Sequence, residues 1–147
     1  DTGANKDIKD QQGWTALIFA SYNGHIDISR QLIDSGANKD LQDPHGWTAL
    51  IVASIMGHVD IARLLINAGA EKDIQGQDGA TALILVSFNG YAQIARLLID
   101  SGANIDLQNF QGQTAIEVAN SRGHHEIAQM IRNEIERRQM EQQDIRI

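Results

Sequence analysis

An all-α repeat solenoid is the fold this sequence predicts, and three observations predict it. Glycine stands at positions 13, 46, 79 and 112, an unbroken interval of 33 residues. The stretch from Gly13 to Gln42, GWTALIFASYNGHIDISRQLIDSGANKDLQ, restarts at Gly46 as GWTALIVASIMGHVDIARLLINAGAEKDIQ. It restarts again at Gly79 as GATALILVSFNGYAQIARLLIDSGANIDLQ, and Gly112 opens a degraded copy, GQTAIEVANSRGHHEIAQMIRN. Each full copy holds two short apolar runs, each followed by a glycine. A fixed period of this size marks units that cannot bury their apolar faces alone and stack to do so.

In chain order, residues 1–10, DTGANKDIKD, align with Asp34–Asp43, DSGANKDLQD. They read as the tail of a preceding repeat, and the chain as a piece of a longer array. Within each copy, Thr15, Thr48, Thr81 and Thr114 stand just before an apolar run, where a side-chain oxygen caps a helix start. Ala16, Ala49, Ala82 and Ala115 follow as good helix formers. Gly24, Gly57, Gly90 and Gly123 stand where that helix ends in a left-handed residue. A second helix follows from the spacing of Ile28, Leu32 and Ile33, or of Ile61, Leu64 and Leu65. Gly36, Gly69 and Gly102 close it. Polar, turn-prone segments such as Asn38–His45 connect the copies. Helices of about eight to ten residues do not hold alone in water. Leu17, Ala20, Ile28 and Leu32 are therefore expected to pack against the same positions of the next copy.

The fourth copy departs from the rest. Glu117 takes the place of Ile18, Ile51 and Ile84, and Asn120 replaces Ser21, Ser54 and Ser87. Its second helix runs on through EIAQMIRNEIERRQMEQQDIRI with no glycine to stop it. The charge of this run makes it a solvated C-terminal cap, with a helix leading to another domain as the alternative.

Taken together, G-x-T-A-L-I, A-S-x-x-G-H, D-I-x-R-x-L-I and G-A-N-K-D fall in the order and spacing of one family. The unit resembles an ankyrin repeat. That resemblance implies helix-turn-helix units with short β-hairpin-like fingers beside the first helices, and a concave face that binds protein. The implied units are 11–43, 44–76 and 77–109, a degenerate repeat at 110–133, and a helical extension or cap at 134–147. Where the family reads Thr-Pro-Leu-His, this chain reads Thr-Ala-Leu-Ile. The histidine that ties neighbouring family repeats is thus replaced by Ile18, Ile51 and Ile84, which are expected to substitute apolar packing. His25, His58 and His124 occupy the family's Gly-His step, where an imidazole is expected to bond loop or helix-start backbone.

Composition narrows the function. Net charge is −7, and Arg137-Arg138 is the one basic cluster, so a grip on phosphate backbones is not expected. No apolar run is long enough to span a membrane, and the absence of cysteine suits an intracellular, cytoplasmic protein. No phosphate-binding glycine motif is present, so no nucleotide cofactor or small-molecule substrate is expected. Ser21, Ser54 and Ser87 precede His25, His58 and Tyr91 by four residues. They recur with the period, as scaffold residues do, whereas catalytic groups form one constellation. His124-His125-Glu126 offers metal-capable atoms, but adjacent helical side chains diverge. Arg30, Arg63 and Arg96 form a ladder on the second helices, with Asp27 and Asp60 three residues before the first two, and read as a solvated face. No catalytic, cofactor or metal site is expected.

The aromatics are the informative residues. Of seven, five fall where the family varies: Trp14 and Trp47 before the capping threonines, Tyr22 and Phe88 at first-helix ends, and Phe110 in a finger. Ile55 and Met56 share the register of Tyr22-Asn23 and Phe88-Asn89, and Arg122 follows in the fourth copy. These positions are expected to form one partner-binding stripe along the concave face, with Tyr22 and Phe88 largely exposed. The tryptophans have an equal case as packing for the finger bases. The function expected is non-catalytic binding of a protein partner. The alternative is a structural spacer within a longer protein, one whose catalytic domain could lie elsewhere.

Overall fold

The computed structural model describes residues 6–146, so the first five positions of the expected N-terminal tail lie outside the described residues. Among the described residues there are eight helices and no strand. They come in pairs: α1 (Ala16–Asn23) with α2 (Ile26–Asp34), α3 (Ala49–Met56) with α4 (Val59–Asn67), α5 (Ala82–Asn89) with α6 (Ala92–Asp100), and α7 (Ala115–Ser121) with α8 (His125–Arg146). First helices pack on first helices and second on second, so each pair touches its neighbours in the array. The result is two parallel rows of helices with one core running between them.

Local chemistry fixes where the first helices begin and end. Thr15, Thr48 and Thr81 accept the N–H of Ile18, Ile51 and Ile84 through their hydroxyl oxygens at 3.1–3.2 Å. At the other end the chain turns through left-handed glycine, as at Gly90, where φ is +83°. A Cβ at Gly90 would come within 2.8 Å of the His124 ring, so glycine there serves both the turn and the stacking. The second helices close with paired bonds, Ala37 N–H to Leu32 C=O and Gly36 N–H to Ile33 C=O, which satisfy two of the last carbonyls.

The core follows the repeat. Leu17, Leu50 and Leu83 are buried, as are Ile61, Ile94 and Ile127, the residues that hold α4, α6 and α8 against the array. Ile18, Ile51 and Ile84 are also buried, so apolar packing does take the slot of the family's histidine. Ile28 corrects the expected pattern. It is 48% exposed, because no helix among the described residues covers that side of α2.

Hydrogen bonds also link the repeats. The Asp7, Asp40 and Asp73 carboxylates accept the N–H of Asn38, Glu71 and Asn104, each at 2.9 Å. The connecting segments, or fingers, double back in tight turns and form no strands among the described residues, so the expected β-hairpin character is not seen. In one, Asp43 N–H bonds Trp47 C=O and Gly46 N–H bonds Asp43 C=O. Adjacent fingers touch through Gln77 N–H to His45 C=O and Phe110 N–H to Asp78 C=O. At Gly79, where φ is +80°, a Cβ would meet the Phe110 backbone nitrogen at 2.8 Å, so only glycine lets the next finger approach this closely.

In the fourth pair, Glu117 accepts both the N–H and the hydroxyl of Thr114, at 2.9 and 3.0 Å. These two bonds favour the carboxylate and hold the Glu117 carboxyl below its ordinary pKa. Helix α8 packs Ile127, Ala128, Met130 and Ile131 into the core. Glu134 is nearly buried and receives Arg137 and Arg138, while Arg138 reaches the Ala103 carbonyl at 3.1 Å. Beyond that point Met140 and Ile145 are exposed.

Candidate functional site

The first helices end in a row, and each end presents two side chains before its left-handed glycine. Tyr22 and Asn23 occupy this register in α1, Ile55 and Met56 in α3, Phe88 and Asn89 in α5, and Ser121 and Arg122 at the end of α7. The finger residues stand beside them. The positions just before are the repeated, buried Leu50, Ala53 and Ser54 type, so a rigid scaffold holds a variable edge.

These residues differ in how available they are. Met56 is 40% exposed, Phe88 46% and Phe110 76%. Asn23, Asn89 and Arg122 are exposed, while Ile55 is half-buried. Tyr22 is half-buried rather than largely exposed, because its ring lies 5.1 Å from that of Trp14. Trp14 is itself tied down: its indole N–H donates to Asp43 at 2.9 Å, reaching across to the next finger. Asp43 is buried, and its other oxygen accepts the N–H of His45 and Trp47. Trp47 is held differently. His45 stacks on it at 4.9 Å, and Gly76 stands at the position equivalent to Asp43. Each tryptophan ring packs within its own repeat and also reaches the next finger, Trp14 by its bond to Asp43 and Trp47 by its close approach to Gly76.

Phe88, Phe110 and Arg122 come together. They line a cleft of about 590 Å³ between the third and fourth repeats, floored by Ile84, Leu85 and Val118. The Arg122 guanidinium carbon lies 4.1 Å from the Phe88 ring centroid, a cation–π contact.

The serines singled out in the sequence sit in the scaffold. Ser54 and Ser87 are fully buried and donate to the Leu50 and Leu83 carbonyls of their own helices at 2.7 Å. The Ser21 and Ser29 hydroxyls are buried without a partner. The histidines correct an expectation. His58 Nε2 bonds the Tyr22 carbonyl at 3.0 Å and His124 Nδ1 the Ser87 carbonyl at 2.8 Å, so they reach the preceding repeat's first-helix end rather than their own loop. Inter-repeat polar ties therefore persist at a different position. No group of three or more His, Asp or Glu able to hold a metal is found among the described residues.

Sequence reasoning missed Phe19 and Asp43. Phe19 is 50% exposed, yet its counterparts Val52 and Val118 are core residues, so nothing set it apart. Asp43 read as one more turn residue. Its signal was Trp14, whose indole needs an acceptor when half-buried.

Stacked helix pairs with a variable edge define a helical-repeat protein. A family model described as ankyrin repeats (3 copies) matches residues 2–76 and again 68–142. The chain belongs to the ankyrin-repeat family, whose members are generally protein–protein interaction modules and typically non-catalytic. No curated protein matches it. No helix among the described residues is long and apolar enough to cross a membrane.

Proposed function

We propose that this chain binds a protein partner through the concave face lined by its first-helix ends and fingers. Tyr22, Asn23, Ile55, Met56, Phe88, Asn89 and Arg122 form the stripe, with Trp14, Trp47 and Phe110 along the finger side. The observation that supports this most is the exposure of Met56, Phe88 and Phe110 at positions that change from copy to copy. The scaffold does not use these side chains as core, and large exposed apolar groups cluster where proteins meet. The tryptophans contribute chiefly by fixing the fingers that carry the edge. The same reading divides the chain at 11–43, 44–76, 77–109 and 110–133, with 134–147 as the C-terminal cap, and places its work in the cytoplasm without catalysis, cofactor or nucleic acid.

Hydrogen exchange on the full chain with a partner purified from its source tests this. Protection should gather at the last turns of α1, α3, α5 and α7 and in the fingers. Protection confined to α2, α4 and α6 would assign binding to the opposite row and end the proposal.

A further inference from the structure

The cleft between the third and fourth repeats is unlike its neighbours, and this difference carries chemistry. Phe110 stands at a finger tip where the earlier fingers have Gln11, Pro44 and Gln77. Arg122 stands where the earlier first helices have Asn23, Met56 and Asn89. Both changes fall in the fourth copy, and both line one cleft with Phe88. An apolar floor is thus flanked by two exposed aromatic rings and a single cation. Its volume of about 590 Å³ suits a few side chains rather than a domain surface.

Arg122 is posed for a carboxylate. Its guanidinium carbon sits over the Phe88 ring, 4.1 Å from the centroid, and the group carries five N–H donors suited to a carboxylate. Among the described residues no carboxylate lies within ion-pair distance of it, as is also true of Arg30 and Arg132, but Arg122 alone of these lines the cleft. The remaining charge limits what enters. Asp78 lies on the finger side of the cleft, and the chain carries a net charge of −7, so a polyacidic ligand is repelled while one carboxylate on Arg122 is not.

We propose that this cleft takes a short segment of the partner protein bearing one bulky apolar side chain and one Asp or Glu. The apolar group fills the space between Phe88 and Phe110, and the side-chain carboxylate pairs with Arg122. This rests on the reading of the first-helix ends and fingers as the binding face, and it specifies the recognition at one end of that face.

The test uses the full chain, isotope-labelled for NMR, and blocked Gly/Ser peptides. Each peptide carries a single Phe and a single Glu at varied separation, with acetylated and amidated ends. At least one separation should shift the amides of Phe88, Phe110 and Arg122. Arg122→Glu should weaken that peptide about tenfold or more, and replacing the peptide's Glu by Lys should then restore binding to the variant. Phe110→Gln should weaken binding while leaving the melting temperature unchanged, since Gln11 and Gln77 occupy the same tip. No shifts with any peptide, equal binding of the Gln-substituted peptide, or indifference to Arg122→Glu would each overturn the proposal. So would stronger binding of an unblocked peptide without Glu, which would assign Arg122 to a chain terminus. A partner that maps to Tyr22–Met56 and ignores Phe110→Gln and Arg122→Glu would sink this inference alone. A partner on the second-helix row would sink the broader reading as well.

Discussion

Leu65 and Phe88, in adjacent repeats, show how the array divides its side chains between scaffold and surface. Leu65 is fully buried, so Leu65→Ala removes packing and leaves a cavity costing about 2–5 kcal/mol. Phe88→Ala should move a denaturant midpoint far less, because nearly half of the ring already meets solvent. Affinity for the partner should respond the other way, with about 2 kcal/mol lost at Phe88 and little at Leu65 once the protein is folded. Equal stability losses in the two variants would remove Phe88 from the binding edge. Asp43 is the residue whose loss should surprise. Asp43→Ala leaves the Trp14 indole and two backbone N–H groups without their acceptor and should cost about 1–3 kcal/mol, measurable by urea unfolding. At this scale the sequence was only partly legible. Thr15 and Gly24 announce their roles because caps are local, whereas the burial of Tyr22 depends on Trp14, eight positions away.

Helix α8 carries the clearest predictions for a single element. Its first turns were legible from Ile127 and Ile131, which repeat the spacing of Ile94 and Leu98. The bonds that fasten its middle were not, since nothing in the spacing says that Arg138 reaches the Ala103 carbonyl across 35 residues. Ending the chain after Arg132 removes Glu134, Ile135 and Arg138 together. A fall of at least about 4 °C in melting temperature is expected, given about 2–4 °C per kcal/mol for a chain of this size. An unchanged melting temperature would make the extension a connector rather than a cap. Acid offers a finer probe. The Arg137 hydrogen bond, aided by Arg138, holds the Glu134 carboxyl below its ordinary pKa. A depressed carboxyl contributes stability above its unfolded pKa and loses that contribution as pH falls through the folded value. Glu134→Gln should therefore flatten the acid limb of a stability–pH curve and leave its slope near neutrality unchanged. An acid limb identical to that of the parent protein would show that the pair contributes nothing.

For the whole molecule, the period was the most legible feature, because a 33-residue interval imposes the stacking whatever the details. The proposed binding face was less so, since exposure depends on which neighbour covers which side chain. Charge predicts weak association with nucleic acid. Anisotropy titrations with duplex DNA at low salt should show no micromolar binding, and a steep salt dependence would contradict the reading of the surface.

The contacts between pairs have a mechanical consequence. Every substantial helix contact lies within a pair or between adjacent pairs, and the Asp7, Asp40 and Asp73 bonds join consecutive repeats alone. A tether pulling on the two ends would therefore load these junctions in series, like the plies of a laminate peeled from an edge. Each release of 33 residues would lengthen the chain by up to about 110 Å, less the thickness of the repeat it unravels. Within this chain, peeling should start at α1 and α2, whose Phe19 and Ile28 are covered by no helix among the described residues, and finish at the pair clasped by Glu134.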